Sequence, residues 1–250
     1  MKKVFIFLSL VAFMGCKKDY KSIYSFPVTE DKASIKIVHA LANAFATPTS
    51  TAQSGLQVYI NDVKVTGNAV TFGGGVFPGL EYALVPSGTV NAKVVIPAGA
   101  TNAEIVAVNN APLTLEAGQT YTAFITDTIP NASIFTIKED FSPVADSGKY
   151  FVRLVNATPK SAGYDLYAVT DAVTIASNVQ YKSASPYVQI FAGTGARTFA
   201  IRKPGTTTNI ATVAITPTAR RMYTIFSYGI DGGTGARAPK LQFFTARFQK

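Results

Sequence analysis

Apolar residues fall along this chain in two distinct patterns. From Val4 to Met14 they run unbroken apart from Ser9, behind Lys2 and Lys3 and ahead of Gly15 and Cys16. As a helix that run is about 16 Å long against a hydrocarbon layer of roughly 30 Å, so it cannot span a bilayer. A basic start, an apolar core and a small residue form the layout of an export signal, here residues 1–15. From Ala33 onward the pattern changes to short apolar stretches broken by turn residues at intervals of about ten. Ser34-Ile35-Lys36-Ile37-Val38-His39-Ala40 alternates in part, with Ile35, Ile37 and His39 on one face. Further strands are predicted at Leu56–Ile60, Val63–Val65, Tyr82–Val85, Ala92–Ile96, Glu104–Val108, Tyr121–Thr126 and Ser133–Ile137. No long helical period appears, so the fold class is all-β.

This block of strands occurs twice. Ile37-Val38-His39-Ala40 aligns with Leu154-Val155-Asn156-Ala157, and Gly55-Leu56-Gln57-Val58-Tyr59 with Gly163-Tyr164-Asp165-Leu166-Tyr167. Tyr82 answers Tyr187, Ser87-Gly88-Thr89 answers Ala192-Gly193-Thr194, and Tyr121-Thr122-Ala123-Phe124 answers Tyr223-Thr224-Ile225-Phe226. A kept order with drifting loop lengths is the mark of a tandem repeat. The expected organisation is a tether at residues 16–32, one antiparallel β-sandwich at 33–141, a Pro-, Ser- and Gly-containing linker at 142–148, and a second sandwich at 149–250.

Two resemblances refine this picture. Phe13-Met14-Gly15-Cys16 resembles the lipobox of bacterial lipoproteins, with Phe13 and Met14 where Leu and Ala or Ser are commoner. That resemblance implies cleavage between Gly15 and Cys16 and acylation of Cys16, the only cysteine in the chain. Val152-Arg153-Leu154-Val155-Asn156-Ala157-Thr158-Pro159, followed by Tyr164-Asp165-Leu166-Tyr167, resembles an Ig-like domain of bacterial envelope lipoproteins, the domain of unknown function DUF4397. The second copy has Asn156 where that family usually has His. The first keeps His39 but has Lys36 for the usual Arg and Gln57 for the usual Asp. The resemblance implies tandem Ig-like sandwiches and an envelope location, and it carries over no catalytic residue.

Composition adds that 48% of residues are apolar and 15% charged, with 17 Phe and 12 Tyr, enough to bury sizeable cores. With Cys16 acylated no thiol remains, so disulfides and thiolate metal sites are excluded within the monomer. Beyond the leader no apolar run reaches transmembrane length, so attachment to the membrane is expected through the lipid. Charge is uneven: residues 33–146 hold four Lys against eight acids, and residues 147–250 hold thirteen Lys and Arg against three Asp. The basic half suits anionic glycan or headgroups, and export disfavours nucleic acid.

Candidate chemistry is sparse. His39 is the only histidine, and Asn156 replaces it in the second copy, so a hydrogen-bonding role is expected rather than catalysis. Glu30-Asp31 and Glu139-Asp140 are adjacent pairs whose side chains point to opposite faces of a strand. Gly73-Gly74-Gly75-Val76-Phe77-Pro78-Gly79 lacks the Gly-Lys-Ser/Thr of a phosphate loop and reads as a turn or bulge. The two Gly-Thr-Gly-Ala-Arg stretches, Gly193–Arg197 and Gly233–Arg237, read as hairpin loops. The candidate anion-binding set is Arg197, Arg202, Lys203, Arg220, Arg221, Arg237 and Lys240, converging on one end of the second sandwich, where such folds place binding loops. Without Trp, Tyr164, Tyr181 and Tyr187 are the candidate sugar-stacking aromatics. The function expected is a non-enzymatic binding or structural module of the envelope, with no cofactor, no metal and no catalytic residue. Its partners would be the membrane through the lipid and a polysaccharide or envelope protein. The rival readings are an adhesin or pilus-like subunit assembling by strand exchange, and a carboxylate-dependent glycan hydrolase.

Overall fold

The computed structural model describes residues 31–44, 54–73, 75–99 and 103–248. The export signal, Gly15, Cys16 and nearly all of the tether lie outside the described residues. Within them the chain is all-β, apart from one 3-10 turn at Gly235–Arg237, and no helix is long and apolar enough to cross a membrane.

The first half carries β1 (Lys32–His39), β2 (Gln57–Ile60), β3 (Val63–Lys64), β4 (Val76–Phe77), β5 (Ala83–Pro86), β6 (Gly88–Ile96), β7 (Ile105–Leu115), β8 (Thr120–Thr126) and β9 (Ser133–Lys138). The second half repeats that order as β10 (Lys149–Asn156), β11 (Tyr164–Ala168), β12 (Val173–Val179), β13 (Ser183–Ala184), β14 (Val188–Phe191), β15 (Arg197–Arg202), β16 (Ala211–Ile215), β17 (Arg221–Tyr228) and β18 (Lys240–Phe248). Four sheets result. One sheet of the first half runs β4-β1-β8-β9, with β5 also on β1, and the other runs β3-β2-β6-β7. The second half has β13-β10-β17-β18, with β14 on β10, and β12-β11-β15-β16. The halves are not antiparallel throughout as expected: each holds one parallel pair, β1 with β8 and β10 with β17, and the equivalence extends to register, with Ile37 facing Ala123 and Leu154 facing Ile225.

Burial separates inner from outer sheets. β2 and β11 alternate between buried and half-buried positions, as strands with one solvated face do. β8, β10 and β17 are buried at every position after the first, and β1 at nearly every one. Such strands must be covered on both faces. On one face of β1, Ile37 packs with Val58, Val94 and Ile96 of the first half's outer sheet. The equivalent face of β10, with Val152 and Leu154, packs on Leu166, Phe199 and Ile201. The other faces meet each other: Val38, Ala40 and Phe124 of the first half share one apolar cluster with Phe151, Val155, Met222, Phe226 and Phe244 of the second. The order is therefore outer, inner, inner, outer.

Several expectations change. Within residues 142–148, Ala145 is buried in the cluster that joins the halves. Val76-Phe77, inside the stretch read as a turn, forms the short strand β4 on β1, since the β1 edge needs a partner there. β7 extends to Leu115 because it pairs with all of β6. Gly233–Arg237 does lie in the connection between paired β17 and β18. Gly193–Arg197 is not a hairpin: it crosses from β14, paired with β10, to β15 in the outer sheet, and Gly193 supplies the positive φ of 58° at that crossing.

Candidate functional site

A connected set of buried polar side chains lies between the halves. β-pleating that points Ile35, Ile37 and His39 into the first core turns Lys36 and Val38 toward the second half. The same alternation on β10 turns Arg153 and Val155 toward the first. Lys36 and Arg153 thus occupy one repeat position, each a cation in an apolar strand, 0% and 3% exposed. Arg153 Nη2 donates to Glu139 Oε1 at 2.6 Å, and its Nε donates to Thr224 Oγ1 at 3.1 Å. Thr122, the repeat counterpart of Thr224, donates to the same Glu139 oxygen at 2.5 Å. Tyr187 donates to Glu139 Oε2 at 3.3 Å and lies under the Arg153 guanidinium, 4.4 Å from its ring centre. Lys36 Nζ donates to the carbonyls of Pro78 at 2.8 Å and Glu81 at 2.7 Å, over the ring of Tyr82.

These environments shift the protonation of the side chains they hold. Burial lowers the Lys36 ammonium to about 8, against the opposing pull of Glu81 and Glu139. Burial pushes the phenols of Tyr82 and Tyr187 well above their ordinary value. A lysine lowered in this way is a familiar nucleophile, but Lys36 is fully buried and its nitrogen is committed to main-chain carbonyls. Beside this cluster a groove of about 590 Å³ opens to solvent, walled by β9 and the Ser183–Tyr187 stretch, with Arg153 and Tyr187 in its lining. Among the described residues no three His, Cys, Asp or Glu side chains are grouped to hold a metal.

His39 is sealed. Its Nδ1 accepts from the Leu41 N–H at 3.3 Å, and Nε2 faces the Ser54 carbonyl at 3.0 Å, which fixes the proton on Nε2. Burial lowers it to about 4, so it is neutral at pH 7. Asn156 does the same work: Oδ1 accepts from the Thr158 N–H at 3.0 Å, and Nδ2 donates to the Val179 carbonyl at 2.9 Å.

The basic set does not converge on one end. Arg197 and Arg202 are the first and last residues of β15, roughly 16 Å apart along a strand. Arg197 pairs with Asp171 at 2.8 Å and shares its end with Arg220 and Arg221 at the start of β17. Arg202, Lys203, Arg237 and Lys240 lie at the opposite end, where Lys203 reaches Asp231 at 3.5 Å and Lys240 faces Tyr228. Arg202 is held flat on Tyr167, 3.4 Å from the ring centre, and donates to Asn209 Oδ1 at 2.7 Å. Of the candidate aromatics, Tyr164 is fully buried, with its hydroxyl on Asp231. Tyr181 bonds Asp127 across the halves, and Tyr187 is spent on Glu139 and Thr224. The inter-half cluster escaped the sequence reading, although Lys36 and Arg153 at one repeat position, on the face opposite Ile35 and Ile37, were its visible signal.

Comparison with known proteins gives a family. The domain described as Domain of unknown function (DUF4397) matches residues 33–161 and again 150–245. No curated protein matches. Among solved structures, a carbohydrate-binding module, CBMbc (family CBM26) from Eubacterium rectale Amy13K in complex with maltoheptaose, is similar at 9% identity and a TM-score of 0.26, over 86% of this chain and 97% of that one. The Bacillus anthracis TIE protein is similar at 14% identity and a TM-score of 0.22, over 84% of this chain and 34% of that one. At these TM-scores neither bears on fold or ligand.

Proposed function

The chain belongs to the DUF4397 family, and from that footing we propose that it is a lipid-anchored protein of the bacterial outer membrane. Its two repeats are read as Ig-like sandwiches that act together as a non-enzymatic module binding an anionic glycan or another envelope component. Cys16 carries the lipid after cleavage at Gly15, and residues 16–32 space the folded part from the membrane. The observation that carries the binding half of this reading is Arg202. Its guanidinium is pre-positioned on Tyr167, on the outer sheet, at the end that also holds Lys203, Arg237 and Lys240. A planar cation fixed before contact matches carboxylate or sulfate groups with little ordering cost.

The test uses the chain from Lys17, without lipid, passed over immobilised polyuronate and over neutral dextran. Retention on the polyuronate alone, falling with salt and weakened about tenfold in Arg202→Ala, is the expected result. Equal behaviour on both matrices, or an Arg202→Ala chain retained like the parent, overturns the binding reading. Anchoring is tested separately. The mature amino terminus should carry the mass of a diacylated or triacylated Cys16, and Cys16→Ser should release the protein from the membrane fraction.

A further inference from the structure

The inner sheets meet as a pseudo-twofold pair. Phe124 touches Phe226, its own repeat counterpart, with ring centres 5.8 Å apart, and Val38 lies in the same cluster as its counterpart Val155. Tyr82 donates to the Ala246 carbonyl at 3.3 Å, and its counterpart Tyr187 donates to Glu139 at 3.3 Å. Positions 139 and 246 also correspond. Thr122 faces Ile137 and Thr224 faces Phe244, and Glu139 and Ala246 each lie two residues further on along the chain, Ala246 as the extra residue of a bulge that leaves Arg247 opposite Met222. Like faces joined about a twofold make an isologous contact, here with both copies supplied by one chain.

The symmetry fails at one charge. Both faces carry a buried cation, Lys36 or Arg153, but only the first carries a carboxylate. In the observed pairing Arg153 finds Glu139, with side chains 4% and 0% exposed. Were two second-half faces to meet in the same way, each Arg153 would face Ala246, and two guanidiniums would be buried without a counter-ion. Such a pairing is strongly disfavoured, since an uncompensated buried charge costs far more than a matched pair contributes. We propose that Glu139 is the pairing determinant of this interface: the β10-β17-β18 face accepts a first-repeat face carrying that carboxylate and refuses a second copy of itself. A mispaired assembly of two chains through their second halves, the hazard of any tandem repeat, is thereby excluded.

The full chain tests this after folding. A protease site is placed between Pro143 and Gly148, the folded protein is nicked, and native mass spectrometry reads which pieces remain together. Nicked parent protein is expected to give only first-with-second pairs. Glu139→Ala, and Glu139→Gln as the milder variant, should weaken those pairs by about a hundredfold or more. Glu139→Ala combined with Arg153→Met removes the unpaired charge, and second-with-second pairs should then appear. The proposal is overturned by second-with-second pairs in the nicked parent. It is also overturned by Glu139 variants that hold together as tightly as the parent, or by a double variant that forms no such pairs.

Discussion

The two halves have the same nine strands in the same order, so the positions where they differ show what the fold demands and what it leaves open. His39 and Asn156 differ in size, aromaticity and titration, yet each accepts from the N–H two residues on and faces a carbonyl from another segment. That position demands a side chain that can both donate and accept, which His and Asn both satisfy. Lys36 and Arg153 are also interchangeable in charge but use it differently. The lysine is capped by Pro78 and Glu81 carbonyls of its own half, whereas the arginine reaches across to Glu139. Local hydrogen bonding and the apolar contact between the halves are thus shared by the repeats, while the ion pair across that contact depends on a carboxylate that the second half lacks.

The sharpest way to break the comparison is at its least symmetric position. Glu139→Ala makes the first half resemble the second at that site and leaves Arg153 buried without a partner. It is expected to cost about 3–5 kcal/mol in denaturant unfolding, whereas replacing both partners by Met should cost far less. A double-mutant cycle with a large coupling term checks this, and simple additivity would refute it.

Next in size is the acid response of His39. The folded protein holds it neutral down to about pH 4, while the unfolded chain takes up a proton near 6.5. Between those values the unfolded state binds more protons, so stability is full above pH 6.5 and falls as pH drops toward 4, by about 2–3 kcal/mol. His39→Asn copies the second half and should flatten that fall in a melting series from pH 7 to 4. Lys36 gives a smaller effect at the other end of the scale. Its folded value of about 8 lies below 10.5, so between pH 8 and 9.5 the unfolded chain holds the proton more tightly, and stability should rise with pH. Lys36→Met should abolish the rise, and a parent melting temperature that does not change over that window would count against it.

Periodicity made most of the strands legible, and the internal match showed that the unit recurs, because apolar alternation is set by each sheet's own core; the two-residue strand β4 is too short to carry such a pattern. The exchange of His39 for Asn156 showed that this position bonds rather than reacts. What the sequence hid was the contact between halves. Lys36 and Arg153 look like solvent-facing members of half-buried strands, and only the cluster of Val38, Phe124, Val155 and Phe226 shows that this face is covered. The basic residues were misplaced for a related reason: Arg197 and Arg202 are close in sequence, but a strand separates them instead of a turn.

The smallest expected effect on stability comes from the outer sheets, where the comparison can be sharpened into one about recognition. Each half places a tyrosine at the same repeat position with a cation over its ring: Lys93 is 4.8 Å from the centre of Tyr59, and Arg202 is 3.4 Å from that of Tyr167. An ammonium is a mobile, strongly hydrated point charge, whereas a stacked guanidinium presents a planar fork with its geometry already set. Truncating either half-buried cation to alanine should change unfolding free energy by about 1 kcal/mol, as for cation–π pairs near the surface. Retention on polyuronate should separate them, with Arg202→Ala losing most of the interaction and Lys93→Ala little. Equal losses would mean that net charge alone is sensed, and the stacked arginine would then have no special part in binding.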